Sequence, residues 1–258
     1  MPERHTALIT GASAGLGAEF AKQLASLGYN LVLVARRREK LDEIAAELIA
    51  KHGIGCSTIS ADLIDPAAPQ AIFETVRSQG LTIDYLVNNA GIAGPDLLKD
   101  REWQEQEDFY QLMMISVAHL CHLFIPGMQA RNFGRVINVA SVAARIPRAD
   151  GCNYGASKAY LIALSEALAA TLKGTNVHVS ALCPGFTHTD FHETAGLQDM
   201  KASLPKWLWY PADVVVRDGL RAVDKARPIC LSGRIYRWLD PFFQSVWTRR
   251  LFRVPGRE

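Results

Sequence analysis

Residues 5–17 read HTALITGASAGLG, and this stretch decides the fold. HTALIT (5–10) is a short apolar run of strand length. The chain then passes glycines at 11, 15 and 17 and enters GLGAEFAKQLASLG, which has helix length and helix composition. Glycines let the backbone turn sharply and approach a ligand, and a helix start offers free N–H groups to a phosphate. The spacing is not G-x-G-x-x-G, and a glycine-rich turn alone could be a tight strand–helix connection. Its place after the first strand, with NLVLVA (30–35) behind it, predicts a dinucleotide site.

The same alternation runs outward from this turn. Apolar runs recur at GCSTIS (55–60), IDYLVNNA (83–90), GRVINVAS (134–141), NVHVSALC (176–183) and PICLSG (228–233). Helix-length stretches separate them: EKLDEIAAELIAKHG, a helix from near Pro66, a long one over 101–131, ASKAYLIALSEALAATLKG, and one over 212–226. Buried strands separated by helices predict a parallel sheet of about seven strands with helices on both faces, a doubly wound α/β fold. No linker or composition break divides the chain, so residues 1–258 read as one domain.

The chain is 49% apolar with a formal charge of +2, which suits a globular protein and makes no case for nucleic-acid binding. Five cysteines (56, 121, 152, 183, 230) never fall in C-x-x-C spacing, against a disulfide framework or a zinc site and for a reducing compartment. His119 and His122 lack a third ligand, so no metal is expected. No signal peptide and no membrane-spanning run is read, and the cytoplasm is the expected location.

The second strand ends at Ala35 and is followed by Arg36, Arg37 and Arg38. A carboxylate there would accept bonds from the adenosine ribose and favour NAD, whereas guanidinium groups grip a 2′-phosphate. Arg36 and Arg37 therefore predict NADP (NADPH) as cofactor, with NAD the second choice. Tyr154 and Lys158 stand four apart in YGASK, neighbours on a helix face. That pair is either an ordinary packed and solvated helix face or a proton donor whose pKa the cation lowers from about 10.

TGASAGLG (10–17), NNAG (88–91), Ser141 at a strand end, YGASK (154–158) and PGFTHT (184–189) follow in this order. Together they resemble the short-chain dehydrogenase/reductase family over residues 5–230. The resemblance implies a Rossmann-type fold, an NAD(P)-dependent oxidoreductase interconverting a carbonyl and an alcohol on a small molecule, and a homodimer or homotetramer. It implies that Gly11, Ser13, Gly15, Leu16 and Gly17 line the pyrophosphate, Asp62 and Leu63 the adenine, and Asn88, Ala90 and Gly91 the cofactor. Ser141 would bond the substrate oxygen, and Tyr154 would transfer the proton. Lys158 would hold the nicotinamide ribose and lower the Tyr154 pKa, and Pro184, Gly185, Thr187 and Thr189 would lie near the nicotinamide.

The family carries an asparagine in the long helix that helps hold a relay water near the lysine. Aligning VAHLCHLFIPGM (117–128) puts Met113 at that position, and a shift of three residues would put Ser116 there. A thioether cannot hold a water as an amide does, so Ser116 or a backbone carbonyl is expected to take over. The departure also leaves open a non-catalytic nucleotide-binding protein on the same fold.

Substrate contacts are expected from a lid at 186–211, where Trp207, Trp209 and Tyr210 either cover a hydrophobic substrate or pack the segment onto the fold. In the tail (234–258), Asp240 and Pro241 predict a helix start, with Phe243, Val246, Trp247, Leu251 and Val254 on one face over 241–254. That face suits, in order, a subunit contact, docking on the core, or a membrane-surface anchor.

Overall fold

The computed structural model describes residues 4–146, 152–187, 209–245 and 247–248. Strands β1 (Thr6–Thr10), β2 (Asn30–Ala35), β3 (Cys56–Ser60), β4 (Tyr85–Asn88), β5 (Gly134–Val139), β6 (Val177–Cys183) and β9 (Ile229–Leu231) form one sheet. It has seven strands in the order β3-β2-β1-β4-β5-β6-β9, every pair parallel. A small parallel pair, β7 (Phe186–Thr187) with β8 (Trp209–Tyr210), lies outside it.

Helices α1 (Gly15–Ser26), α2 (Arg38–His52) and α7 (Ala212–Asp224) cover one face; α3 (Ala68–Ser78), α5 (Ser116–Ala130) and α6 (Cys152–Thr171) cover the other. Alternate residues of β1 serve the two layers. Ala7 and Ile9 pack with Phe20, Leu24 and Val216, while Leu8 packs with Ile72, Leu120 and Phe124. A central strand between two helical layers is buried on both sides, so its sequence reads as an unbroken apolar run. The strand order reverses between β1 and β4, which opens a crevice at their carboxyl ends.

The long helix is three pieces. α4 (Trp103–Tyr110) runs into a π-helical turn (Gln111–Ile115) and then α5, which keeps Pro126 in its interior. By length and composition alone residues 103–130 could cross a membrane. Here Phe109, Leu120, Phe124 and Met128 pack on Leu8, Leu86 and Val136 of the sheet, as a core helix does.

Of the element boundaries that differ from the sequence reading, two helix starts have a local cause. α3 starts at Ala68, not at Pro66, because Asp65 turns the chain first: its Oδ1 accepts from Ala67 N (2.9 Å) and its carbonyl from Ala68 N (3.0 Å). The C-terminal helix α8 spans Arg234–Gln244, so Asp240 and Pro241 lie inside it and do not start it. Gly233 sets the start by taking φ +99°, where a Cβ would meet the Tyr210 and Tyr236 rings. Pro241 forfeits one interior helical bond, the one to the Arg237 carbonyl, and its own carbonyl still accepts from Ser245 N (3.1 Å). Of the expected tail face, Val246, Leu251 and Val254 lie outside the described residues, as does lid residue Trp207.

Candidate functional site

The crevice is built first from glycine. Gly11 (φ 65°) and Gly15 (φ 55°) take left-handed conformations. A Cβ on Gly17 would overlap the Gly11 carbonyl oxygen, so the turn can close only with glycine there. Neighbouring β4 braces the turn. Thr10 Oγ1 accepts from Asn89 N (3.0 Å) and Ala90 N (3.1 Å), and Asn89 Nδ2 donates to the carbonyls of Thr10 (3.0 Å) and Gly11 (3.3 Å). α1 begins behind Ala14 with no side-chain cap and no acidic residue in its first turn. Its N–H groups are thus left for an anion. Ser13 and Leu16 lie half-buried on this turn.

The asparagine doublet divides its work differently from the sequence expectation. Asn88 does not face the crevice; its side chain is buried and donates to Asn138 Oδ1 (2.8 Å) and Cys121 Sγ (3.5 Å). Asn138 donates in turn to Ser165 Oγ (2.9 Å), tying β4 and β5 to α6. Asn89, which the sequence reading passed over, holds the glycine turn. The NN doublet was its only signal, because a strand that ends there must point successive side chains opposite ways.

At the far end of β2 the two arginines diverge. Arg37 Nη2 donates to Ser13 Oγ (3.2 Å), and Arg36 lies 3.7 Å from the Asp62 carboxylate. A guanidinium thus stands over the glycine turn and a second beside the segment expected at the adenine. Arg38 turns away to Asp42 on its own helix. Leu63 is buried, and its carbonyl accepts from Ser116 Oγ (2.7 Å). An uncapped helix start, a turn that admits only glycine and two exposed guanidinium groups are the donor set of a phosphorylated dinucleotide.

The chemistry sits between β5 and α6. Ser141 follows β5, and its Oγ accepts from Ala143 N (3.1 Å) and bonds the Tyr154 side chain. Tyr154 stands in the first turn of α6, and Lys158 one turn on, its Nζ 5.7 Å from the Tyr154 ring centroid. Lys158 Nζ donates to the Val139 carbonyl (2.7 Å) in a buried position. Ser141, Tyr154 and Lys158 are therefore one cluster.

Burial pushes the Tyr154 phenol up to about 12, and its hydrogen bond with the Ser141 hydroxyl offsets part of that rise. Burial also brings Lys158 down to about 8, which weakens it as a cation. Tyr154 is therefore held as a protonated donor near neutrality.

Met113 lies where the alignment puts the missing asparagine. It is buried in the π-turn, and its Sδ accepts from Ile92 N (3.4 Å). A Cβ on Gly91 would be 3.2 Å from Met113 Sδ and 3.7 Å from Lys158 Nζ, so both side chains flank Gly91. Ser116 does not replace the amide: fully buried, it donates to Leu63 O and accepts from Gln111 Nε2 (3.1 Å). Ala90 lies beside them, half-buried.

Pro184, Gly185 and Thr187 follow β6. The Pro184 carbonyl accepts from Val142 N (3.0 Å), and Thr187 Oγ1 donates to the Gly185 carbonyl (3.1 Å). Thr189 lies outside the described residues. α8 closes this end. A Cβ on Gly185 would overlap the Tyr236 ring, and Tyr236 OH accepts from Phe186 N (3.4 Å). Arg145, just after the turn that follows Ser141, pairs with Asp240 of α8 at 3.5 Å, both largely buried. Nothing in the sequence signalled this pairing, since Arg145 drew no reading and Asp240 was read only as a helix start; the contact forms across the fold.

A family model for the short chain dehydrogenases matches residues 5–199. A very-long-chain 3-oxoacyl-CoA reductase of Mycosarcoma maydis is 38% identical over 181 residues, 68% of this chain and 51% of that protein. A probable NADP-dependent dehydrogenase of Haemophilus influenzae is 34% identical over 196 residues, 72% of this chain and 75% of that one. Among solved structures, a short-chain dehydrogenase from Sphingobium yanoikuyae in complex with NADPH is 30% identical, with a TM-score of 0.81 and 91% of each chain covered. The chain thus spans about half the length of the first of these relatives and three quarters of the second.

The chain belongs to the short-chain dehydrogenase/reductase family. It is an NAD(P)-dependent oxidoreductase acting between carbonyl and alcohol groups.

Proposed function

We propose that the chain is an NADPH-preferring reductase of a bulky, apolar carbonyl compound, working in the cytoplasm as a homodimer or homotetramer from a single domain. The observation that carries this reading is the Ser141–Tyr154–Lys158 cluster, in which a half-buried tyrosine bonds a half-buried serine hydroxyl one helical turn from a buried lysine. Bound in the crevice, NADPH would supply a hydride to the carbonyl carbon. Ser141 and Tyr154 would donate hydrogen bonds to the oxygen as negative charge builds on it, and Tyr154 would give it a proton. Lys158 would orient the ribose beside Tyr154. Met113 leaves no side-chain amide for a relay water, so a proton would reach Lys158 past backbone groups. A non-catalytic reading has less support, because it gives the buried lysine and the tyrosine beside it no work.

Arg36 and Arg37 support the choice of NADPH, through the 2′-phosphate, as does the NADPH-bound relative. Phe186 and Trp209 (rings 5.3 Å apart) with Tyr210 and Tyr236 (6.1 Å) support an apolar substrate, as does a relative named for 3-oxoacyl-CoA. The test is a panel of alkyl ketones, aryl ketones and 3-oxoacyl thioesters assayed with NADPH and NADH. Turnover with NADPH on a bulky member is expected, and R36A/R37A should weaken NADPH binding at least tenfold while leaving NADH within about twofold. Tighter NADH binding by the wild type would refute the cofactor choice.

A further inference from the structure

We propose that Asn153, with Gln106 and Tyr110, is a positioning cluster that fixes the first turn of α6, and so the Tyr154 hydroxyl, against the loop between β4 and α4. The proposal rests on the reading of Tyr154 as proton donor. Its starting point is a weakness of the fold. Tyr154 occupies the first turn of α6, where backbone N–H groups lack helical partners and a helix opens most readily. A proton donor placed there needs an anchor, because general-acid catalysis depends on heavy-atom placement.

Asn153, the residue before Tyr154, supplies one. Its Oδ1 accepts from the Tyr110 hydroxyl (2.9 Å), and its Nδ2 donates to Gln106 Oε1 (2.5 Å) and to the Pro95 carbonyl (3.2 Å). Gln106 Nε2 continues to the carbonyls of Asp96 (3.4 Å) and Asp100 (3.3 Å). Asn153 is 4% exposed and Gln106 1%. These bonds tie together the β4–α4 loop, α4 and the start of α6. A buried, satisfied amide network fixes orientation where an apolar contact would allow sliding, and breaking one member leaves others unpaired.

The cluster also reaches the other side of the site. Tyr110 ends α4 and passes directly into the π-turn that carries Met113, which meets Ile92 and flanks Gly91 with Lys158. The β4–α4 loop is therefore clamped twice, by Met113 near its start and by Asn153 and Gln106 further along. Ser141 and Lys158 face Tyr154 itself, and neither belongs to the cluster. Asn153, Gln106 and Tyr110 act through Tyr154's backbone, not on the substrate.

The experiment uses the full chain with Y110F and N153A, and Y85F as a control at a buried hydroxyl unconnected to the cluster. Thermal unfolding, NADPH affinity, kcat and KM across pH, and amide exchange by mass spectrometry are measured on each. Expected for Y110F and N153A are NADPH affinity within about twofold, kcat down about tenfold or more with a smaller change in KM, and a shifted pH profile of kcat. Exchange should rise in peptides covering 93–102 and 152–160 together, and in neither for Y85F. A fall in melting temperature with kcat, its pH profile and local exchange unchanged would overturn the proposal, leaving a purely structural network. If no carbonyl is turned over by any variant, joint loosening of the two peptides still upholds the anchor while the reductase reading falls. Unchanged exchange in that case overturns the anchor as well.

Discussion

Lys158 carries its ammonium in the interior, with the Val139 carbonyl as acceptor. Its pKa falls to about 8 from an unfolded value of 10.5, mainly through desolvation. The sign follows directly. Between about 8 and 10.5 the unfolded chain holds a proton that the folded one has released, so this group's contribution to stability rises with pH across that window. Below about 8 the folded state bears the full cost of burying a charge. K158M should therefore unfold at higher urea than wild type at pH 7, by about 2 kcal/mol after allowing for the orphaned Val139 carbonyl. The difference should shrink towards pH 10 while turnover is lost at both. Tyr154, raised to about 12, gives the complementary expectation. Reduction should not lose rate from tyrosine ionisation anywhere near neutrality, and Y154F should cut turnover about a hundredfold or more with NADPH still bound.

At the same scale, Met113 and Ser116 mark a limit of reading sequence. Positions three apart share a helix face, so alignment alone left either able to meet Lys158. The π-turn over Gln111–Ile115 changes the helical phase between them, which no local composition announced. Ser116 went to Leu63 and Met113 to Ile92. S116A is accordingly expected to cost about 1–2 kcal/mol of stability, by stranding the Leu63 carbonyl, and to leave the pH dependence of turnover unchanged. A slowed proton transfer in S116A would restore the relay role that the geometry denies it.

Among the elements, the five inner strands of the main sheet were legible because each is short, largely apolar and buried on both faces, while the edge strands β3 and β9 are only half-buried and were legible from their place between helices. The glycine turn was legible because its backbone admits no other residue. α8 was not. Its start depends on Gly233, whose positive φ and lack of a Cβ leave room for the Tyr236 ring of the same helix and for Tyr210 of β8, a contact across the fold. An Asp-Pro pair inside the helix then imitated a beginning. The same rings yield a prediction: G185A should drive its methyl group into Tyr236 and lose about 1–3 kcal/mol, seen as a lower melting temperature. G185A/Y236A should melt no lower than Y236A alone, because the clash is gone; additive losses would mean that the strain lies elsewhere.

On the scale of the molecule, the crevice is a property of strand order and the substrate end a property of where α8 packs. Reversal of the strand order between β1 and β4 leaves a cleft at the sheet's carboxyl edge, and alternating apolar runs foretold a cleft of this kind. What they could not foretell is that α8 would reach back over it. Tyr236 packs on Gly185, Asp240 pairs with Arg145 beyond the Ser141 turn, and Phe243 is buried, while Trp238 (75% exposed) and Trp247 (90%) point outward. These contacts separate two truncations. Ending the chain after Ser245 keeps all three inward contacts and should leave the melting temperature within a few degrees of wild type. Ending it after Gly233 removes them together, uncovers the ring of Tyr210, leaves Phe186 N without the Tyr236 hydroxyl, and strands Arg145 without its carboxylate. That loss combines several core-sized terms of about 2–5 kcal/mol each, enough to unfold a marginally stable domain or bare the crevice. Light scattering on the Ser245 truncation decides the outward face. If Trp247 and the residues beyond it hold subunits together, the assembly should fall in mass while each subunit stays folded. An unchanged mass would remove the subunit contact and leave α8 as a wall of the site.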